Sequence, residues 1–222
     1  MISSKVILKE IIELTSKVID STITDKEKFP CLRLTQGYKI IGIEGVEDFS
    51  IALKNMKYGE LYKAMFEAGF YNFRFVDGGL VQLLYEFSPQ DELIKHKLAY
   101  FPSPDFESFQ NEPEVYIEDN IYAEILDPRV WPVPIRFDYD GREDVYKELT
   151  HPKSHLTLGQ YKNCRIPVCS PITPTLFIDF IMRSFYNTAL LDLSGKLNFK
   201  FSRFQPTATE LERDRIHIRI TP

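Results

Sequence analysis

The sequence has little of what marks the common functional classes. Its 222 residues hold three cysteines, Cys31, Cys164 and Cys169, an odd number in a long chain and so no disulfide framework. Cys164 and Cys169 flank a strand-like segment, and a zinc pairing with His151 or His155 fits no familiar ligand spacing. Reduced, partly buried thiols are the expectation. No apolar run reaches the length of a membrane span. The start, Met1-Ile-Ser-Ser-Lys-Val-Ile-Leu-Lys-Glu, lacks the basic region, apolar stretch and cleavage site of a secretory signal. A cytoplasmic protein with no membrane attachment follows as the expectation. The chain has no G-x-x-x-x-G-K-[ST] or G-x-G-x-x-G phosphate loop and no G-x-S-x-G nucleophile elbow. No cofactor is expected, and the common nucleotide-dependent enzymes and hydrolases lose weight. Internal repeats and low-complexity tracts are absent as well.

What the chain does have is material for a core. Hydrophobic residues make up 44%, with 17 phenylalanines, 12 tyrosines and one tryptophan, a wealth incompatible with disorder. The net charge of −5 is unevenly spread: residues 1–141 carry 15 basic and 24 acidic side chains, residues 142–222 carry 12 and 8, or −9 and +4. An acidic body with a basic last third suits an oriented encounter with an anion, or is ordinary surface scatter. It lacks the strongly basic footprint of a dedicated nucleic-acid binder.

Periodicity divides the chain. Val6, Ile7, Ile11, Leu14, Val18 and Ile19 recur at helical spacing, with Ser3 or Ser4 as the N-cap. The polar stretch 22–30 reads as linker. Strands are expected over 38–44, 70–76, 80–87, 93–101 and 135–139, with 156–158 and 165–168 as further candidates. Asp77-Gly78-Gly79 turns the second into the third as a hairpin. A short helix is expected over 48–56 and a clearer one over 59–68, ended by Gly69. Residues 105–127 are acidic and punctuated by Pro113. The strongest helix is 175–186, with Pro174 at its start and Thr173 as cap. Residues 195–201 and 213–220 alternate like strands, the latter with Ile216, Ile218 and Ile220 on one face. The fold class is therefore α+β: an antiparallel sheet of about six to eight strands, helices mainly on one face, plus an N-terminal helix. We expect one domain over 1–222: helix to 21, linker and lead-in over 22–37, sheet and helices over 38–222.

The segment His151-Pro-Lys-Ser-His155-Leu-Thr-Leu-Gly159 follows the charged strand Arg136-Phe-Asp138-Tyr-Asp140 and holds two of the four histidines. Alternation in a strand puts Arg136, Asp138 and Asp140 on one side of the first, and His155 and Thr157 on one side of the second. If the strands are neighbours, Asp138, His151 and His155 form a candidate catalytic group, with Lys153 and Arg165 as phosphate donors. A histidine oriented by a carboxylate beside cations suits acid–base work on a phosphodiester. The same residue types suit a metal. They equally suit a wet sheet face of solvated side chains. His96, between two lysines, and His217, in a row of outward residues, read as structural.

These residues carry a family resemblance. The histidine segment, Cys164-Arg-Ile-Pro-Val168, Pro171-Ile-Thr-Pro174 and Phe177-Ile-Asp-Phe-Ile-Met-Arg-Ser-Phe-Tyr186 resemble the bacterial domain of unknown function 2290. The likeness extends to Gly79-Leu-Val-Gln82, His96-Lys-Leu-Ala-Tyr100 and Arg136-Phe-Asp-Tyr139. That family brings no established activity. The order of charged strand, histidine turn and helix is more distantly similar to TumE-like toxins of toxin–antitoxin pairs, whose histidine cluster is denser than His151 and His155 provide.

Three functions follow as expectations. The first is an interaction subunit with a protein partner, in a bacterial defence or toxin–antitoxin-like assembly, which would expose an apolar patch. The second is a small nuclease or RNA-directed toxin with nucleic acid as its partner, which needs Asp138 and His155 on one face of the sheet. The third is a metal-dependent hydrolase, which needs two or three ligands around an open position.

Overall fold

The computed structural model describes residues 2–45, 56–104, 123–124, 133–161, 163–193 and 195–220. Most of the helix expected over 48–56 and of the acidic stretch 105–127 lies outside them. Nine strands form one sheet: β1 (Thr24–Glu27), β2 (Pro30–Thr35), β3 (Tyr38–Ile43), β4 (Phe73–Phe75), β5 (Leu80–Phe87), β6 (Leu93–Phe101), β7 (Ile135–Asp140), β8 (Ser154–Leu158) and β9 (Ile166–Pro167). The neighbour order is β1-β4-β5-β6-β7-β8-β9, and β3 pairs with both β2 and β5. Every pairing between these strands is antiparallel, and the short connections β2–β3, β4–β5 and β5–β6 suit hairpins.

β5 organises the sheet. One edge runs beside β6 from Leu80 to Phe87. Its other edge is shared end to end, with β4 against Leu80 and Val81 and β3 against Tyr85, Glu86 and Phe87. The expected hairpin around Asp77-Gly78-Gly79 is present, with its first strand trimmed to Phe73–Phe75.

Side chains alternate between faces, and the two faces differ. Val81, Leu83, Tyr85, Leu98, Tyr100, Phe137 and Leu156 point to one side and are buried in the main core. Two helices cover them: α1 (Ser4–Ser21) and α3 (Pro174–Phe185). α1 buries Ile7, Ile11, Leu14 and Val18, and Ser3 caps it by accepting from the Val6 N–H. Pro174 opens α3 as expected. Thr173 stands at the N-cap, but its hydroxyl donates to the Ser202 carbonyl at 3.2 Å. The cap comes instead from α1, where Glu10 Oε1 accepts from the Thr175 N–H at 2.8 Å. A carboxylate at a helix N-terminus satisfies a free donor and faces the positive end of the helix dipole, so this contact locks the two helices together.

The opposite face is covered at one end only among the described elements. There α2 (Tyr58–Glu67) packs Leu61, Tyr62 and Met65 on Leu80, Ala99 and Phe101. Gly69 ends α2 with φ +67°, and the Phe70 N–H reaches back to the Met65 carbonyl at 2.9 Å. Positive φ is where glycine is favoured.

Two expectations from periodicity fail. The polar stretch 22–30 is not simply linker, since β1 and the start of β2 lie in it. Residues 195–201 and 213–220 alternate but form no strand. Thr209 and Glu212 make a capping box, each side chain bonding the other's backbone N–H, which starts the short helix α5 (Glu210–Arg213); the intervening helix Asn187–Asp192 is α4. Beyond it Ile218 makes a single parallel bridge to Val168, and Ile216 is almost fully exposed. Alternation produces a strand only where a neighbour offers a ladder.

Candidate functional site

Register brings the candidate residues together. Asp138 on β7 stands directly opposite His155 on β8, and Arg136 opposite Thr157. On the other side of β7, Lys97 faces Asp138 and Lys95 faces Asp140. These side chains share the face opposite the main core, with opposite charges paired between β6 and β7 and neutral polar side chains on β8. Asp140 is held by Arg142, 2.8 Å away, with Lys95 at 4.0 Å. Burial works against its charge, but the Arg142 hydrogen bonds and the Lys95 field hold its carboxyl below the usual carboxylate range.

His155 is the centre of the group. Its Nδ1 lies 2.9 Å from the Pro152 carbonyl. A carbonyl can only accept, so Nδ1 carries the proton and Nε2 keeps a lone pair. Nε2 points to Asp138 Oδ2 at 3.9 Å, an oxygen that also has Arg136 at 3.4 Å. Burial lowers the His155 pKa; Asp138 and the Pro152 hydrogen bond oppose this, and His151 and Arg165 reinforce it. His155 is therefore neutral at pH 7, with an acceptor nitrogen facing a carboxylate across a gap too long for a hydrogen bond.

His151 joins it. A tight turn, with the Lys147 N–H on the His151 carbonyl at 3.1 Å and the His151 N–H on the Lys147 carbonyl at 2.7 Å, presents its ring edge-on to His155 with 5.4 Å between centroids. Burial and then the Arg165 charge lower its pKa. The Arg165 charge disfavours protonation of both rings. Lys153 is turned toward other partners. Its ammonium is 2.5 Å from Glu143 and sits over the Tyr146 ring, on the 141–150 loop. The solvated-face reading is also too simple, because His155 and Thr157 are both buried.

His96 is the contrast. It is buried on the core face, with Nδ1 donating to the Phe137 carbonyl at 3.2 Å and Nε2 accepting from the Ile172 N–H at 3.0 Å. Burial pushes its pKa down to about 3. Both nitrogens are used, which makes it a structural group.

Sequence reasoning missed a second polar cluster. Asp77, read as turn chemistry, is buried and accepts from the Gly79 and Ala123 N–H groups and from the Tyr186 hydroxyl, at 2.9, 3.0 and 2.9 Å. Tyr100 donates to Tyr186 at 2.8 Å. Burial raises the Asp77 pKa and sends Tyr186 well above the usual phenol value. A Cβ on Gly79 would lie 2.8 Å from the Tyr100 ring and 2.9 Å from the Tyr186 hydroxyl, so the glycine admits the tyrosine pair. An acidic residue before Gly-Gly, with two tyrosines in later core positions, is the only trace in the sequence.

Among the described residues no group of three or more His, Cys, Asp or Glu side chains is placed to hold a metal ion. The three thiols are free; Cys164 and Cys169 accept from the Leu158 and Ile220 N–H groups. No described helix is long and apolar enough to cross a membrane.

The family model described as an uncharacterized conserved protein, DUF2290, matches residues 23–220. The chain belongs to the DUF2290 family. The matched span holds every strand among the described residues and the His151–His155 group, whereas α1 precedes it. No curated protein and no solved structure matches the chain.

Proposed function

We propose that this DUF2290 protein is an interaction subunit whose β2–β3 hairpin receives an extended segment of a protein partner. The finer setting we propose is a bacterial cytoplasmic assembly of the defence or toxin–antitoxin type. One observation carries the reading. Leu32 and Leu34 stand on one face of β2 and are 37% and 76% exposed, with Phe29 (53%) just ahead of the strand and Tyr38 (41%) on the opposite face of the hairpin. β2 pairs only with β3, and its outer edge has no strand partner among the described residues. An edge strand with exposed large apolar side chains is a template for strand addition. The test is co-purification from the native host of the wild type and of Leu32→Ser/Leu34→Ser, followed by reconstitution with the purified partner. The reading requires a stoichiometric complex that the variant loses while its melting temperature stays unchanged. A partner held equally well by the variant contradicts it.

A second reading is favoured by the direct pairing of Asp138 with His155: acid–base cleavage of a phosphodiester. Neutral His155 would take a proton at Nε2, Asp138 would stabilise the imidazolium, and Arg165 would hold phosphate. RNA and DNA cleavage by the folded wild type, with and without divalent metal, beside a His151→Ala/His155→Ala double variant, tests it. Cleavage that vanishes in the variant supports this reading, and absence of cleavage in every condition removes it.

A further inference from the structure

We infer that a second surface, an arginine-rimmed groove beside α3, binds an acidic peptide segment carrying an apolar anchor residue. Three segments build the groove. α3 contributes Leu176 and Phe180, residues 201–203 contribute Phe201, and residues 218–220 contribute Ile218 and Ile220; together they enclose about 310 Å³. Each segment is tied down. Ser202 accepts from Thr173 and donates to Glu10 at 3.1 Å. The Ile218 N–H bonds the Pro167 carbonyl at 2.9 Å, and its carbonyl accepts from the Cys169 N–H at 2.9 Å. The groove is preformed, which spares a ligand the cost of ordering it.

Its rim is basic. Arg183, Arg203 and Arg219 line it beside a single acid, Asp179. Arg183 gives its Nε to both Asp179 oxygens at 2.9 Å. Arg203 and Arg219 are exposed and form no ion pair among the described residues. Guanidinium forks match carboxylates in geometry and charge, and the aliphatic and aromatic floor matches one or two apolar side chains. A chain of net charge −5 repels a long polyanion such as nucleic acid more strongly than a short acidic segment. Charge complementarity therefore selects the peptide, and the spread of basic residues in the last third acquires a local purpose.

The inference rests on the reading of the chain as a protein-binding subunit but uses a different surface from the β2 edge. The test is fluorescence anisotropy of the full chain with a labelled dodecapeptide in which a Leu-Phe pair is flanked by aspartates and glutamates. Saturable binding that weakens with salt is expected, with a loss of about tenfold or more for Arg203→Glu/Arg219→Glu. Both arginines are exposed, so the double variant should keep the wild-type melting curve. Leu32→Ser/Leu34→Ser should bind the peptide normally, which separates this surface from the hairpin. Absence of saturable binding, or indifference to the charge reversal, overturns the inference and leaves the hairpin reading standing. Tighter binding of a single-stranded oligonucleotide through the same arginines also overturns it.

Discussion

The two faces of the sheet each carry a histidine, and the difference between them separates structure from candidate chemistry. On the helix-covered face His96 bonds through both ring nitrogens and sits between Tyr85 and Tyr139. On the other face His155 anchors only Nδ1 and turns Nε2 toward Asp138 across 3.9 Å. The burial of both keeps them neutral. What distinguishes them is a spare acceptor beside a carboxylate, an arrangement a purely packed core has no need of.

The sharpest way to break the comparison is to remove the structural member. His96→Ala should cost roughly 3–5 kcal/mol, because it leaves a cavity and strips partners from two buried backbone groups; urea denaturation at neutral pH measures it. The wild type should also respond to acid in a set direction. Below the ordinary histidine pKa near 6.5 the unfolded chain binds a proton that folded His96, at about 3, refuses. The His96 contribution is thus fully present above about pH 6.5 and is lost progressively as pH falls toward 3. The same denaturation series at pH 7.5 and 4.5 checks this, and equal stability at both would contradict the assignment.

Next in size is the buried Asp77 cluster. Tyr186→Phe removes a donor from a buried carboxyl and the acceptor for Tyr100, so a loss of about 2 kcal/mol is expected in thermal melts. Glu10→Gln weakens the cap of α3 and should cost about 1 kcal/mol. The smallest stability effect, under about 1 kcal/mol, is expected for Asp138→Asn on the polar face. That variant sharpens the comparison by another readout. Removing the carboxylate removes the main opposing influence on His155, so an NMR titration should show its pKa falling further while that of His96 stays where it is.

Much of the fold was legible because burial imprints period on sequence. The α1 stripe, the Asp77-Gly78-Gly79 hairpin and the Pro174 start of α3 all follow from residue pattern. The strands at 24–27 and 30–35 were not, because their polar and exposed residues show no half-buried alternation; they form by pairing with β4 and β3. Residues 213–220 misled in the opposite sense, alternating without a strand to pair with. The Asp138–His155 contact was legible as a condition, since alternation names the face but only register makes the residues neighbours. Lys153 shows the limit of proximity in sequence: it is two residues from His155, and its ammonium lies against Glu143.

Partner binding, in the proposed function, occurs at the open edge of β2. Amide hydrogen exchange, measured on the protein purified with its native partner and again alone, tests it most directly. Protection of the amides of residues 30–35 confined to the complex is the predicted result. Equal exchange of these amides in both samples, or a native protein that purifies only as a lone monomer, would contradict it.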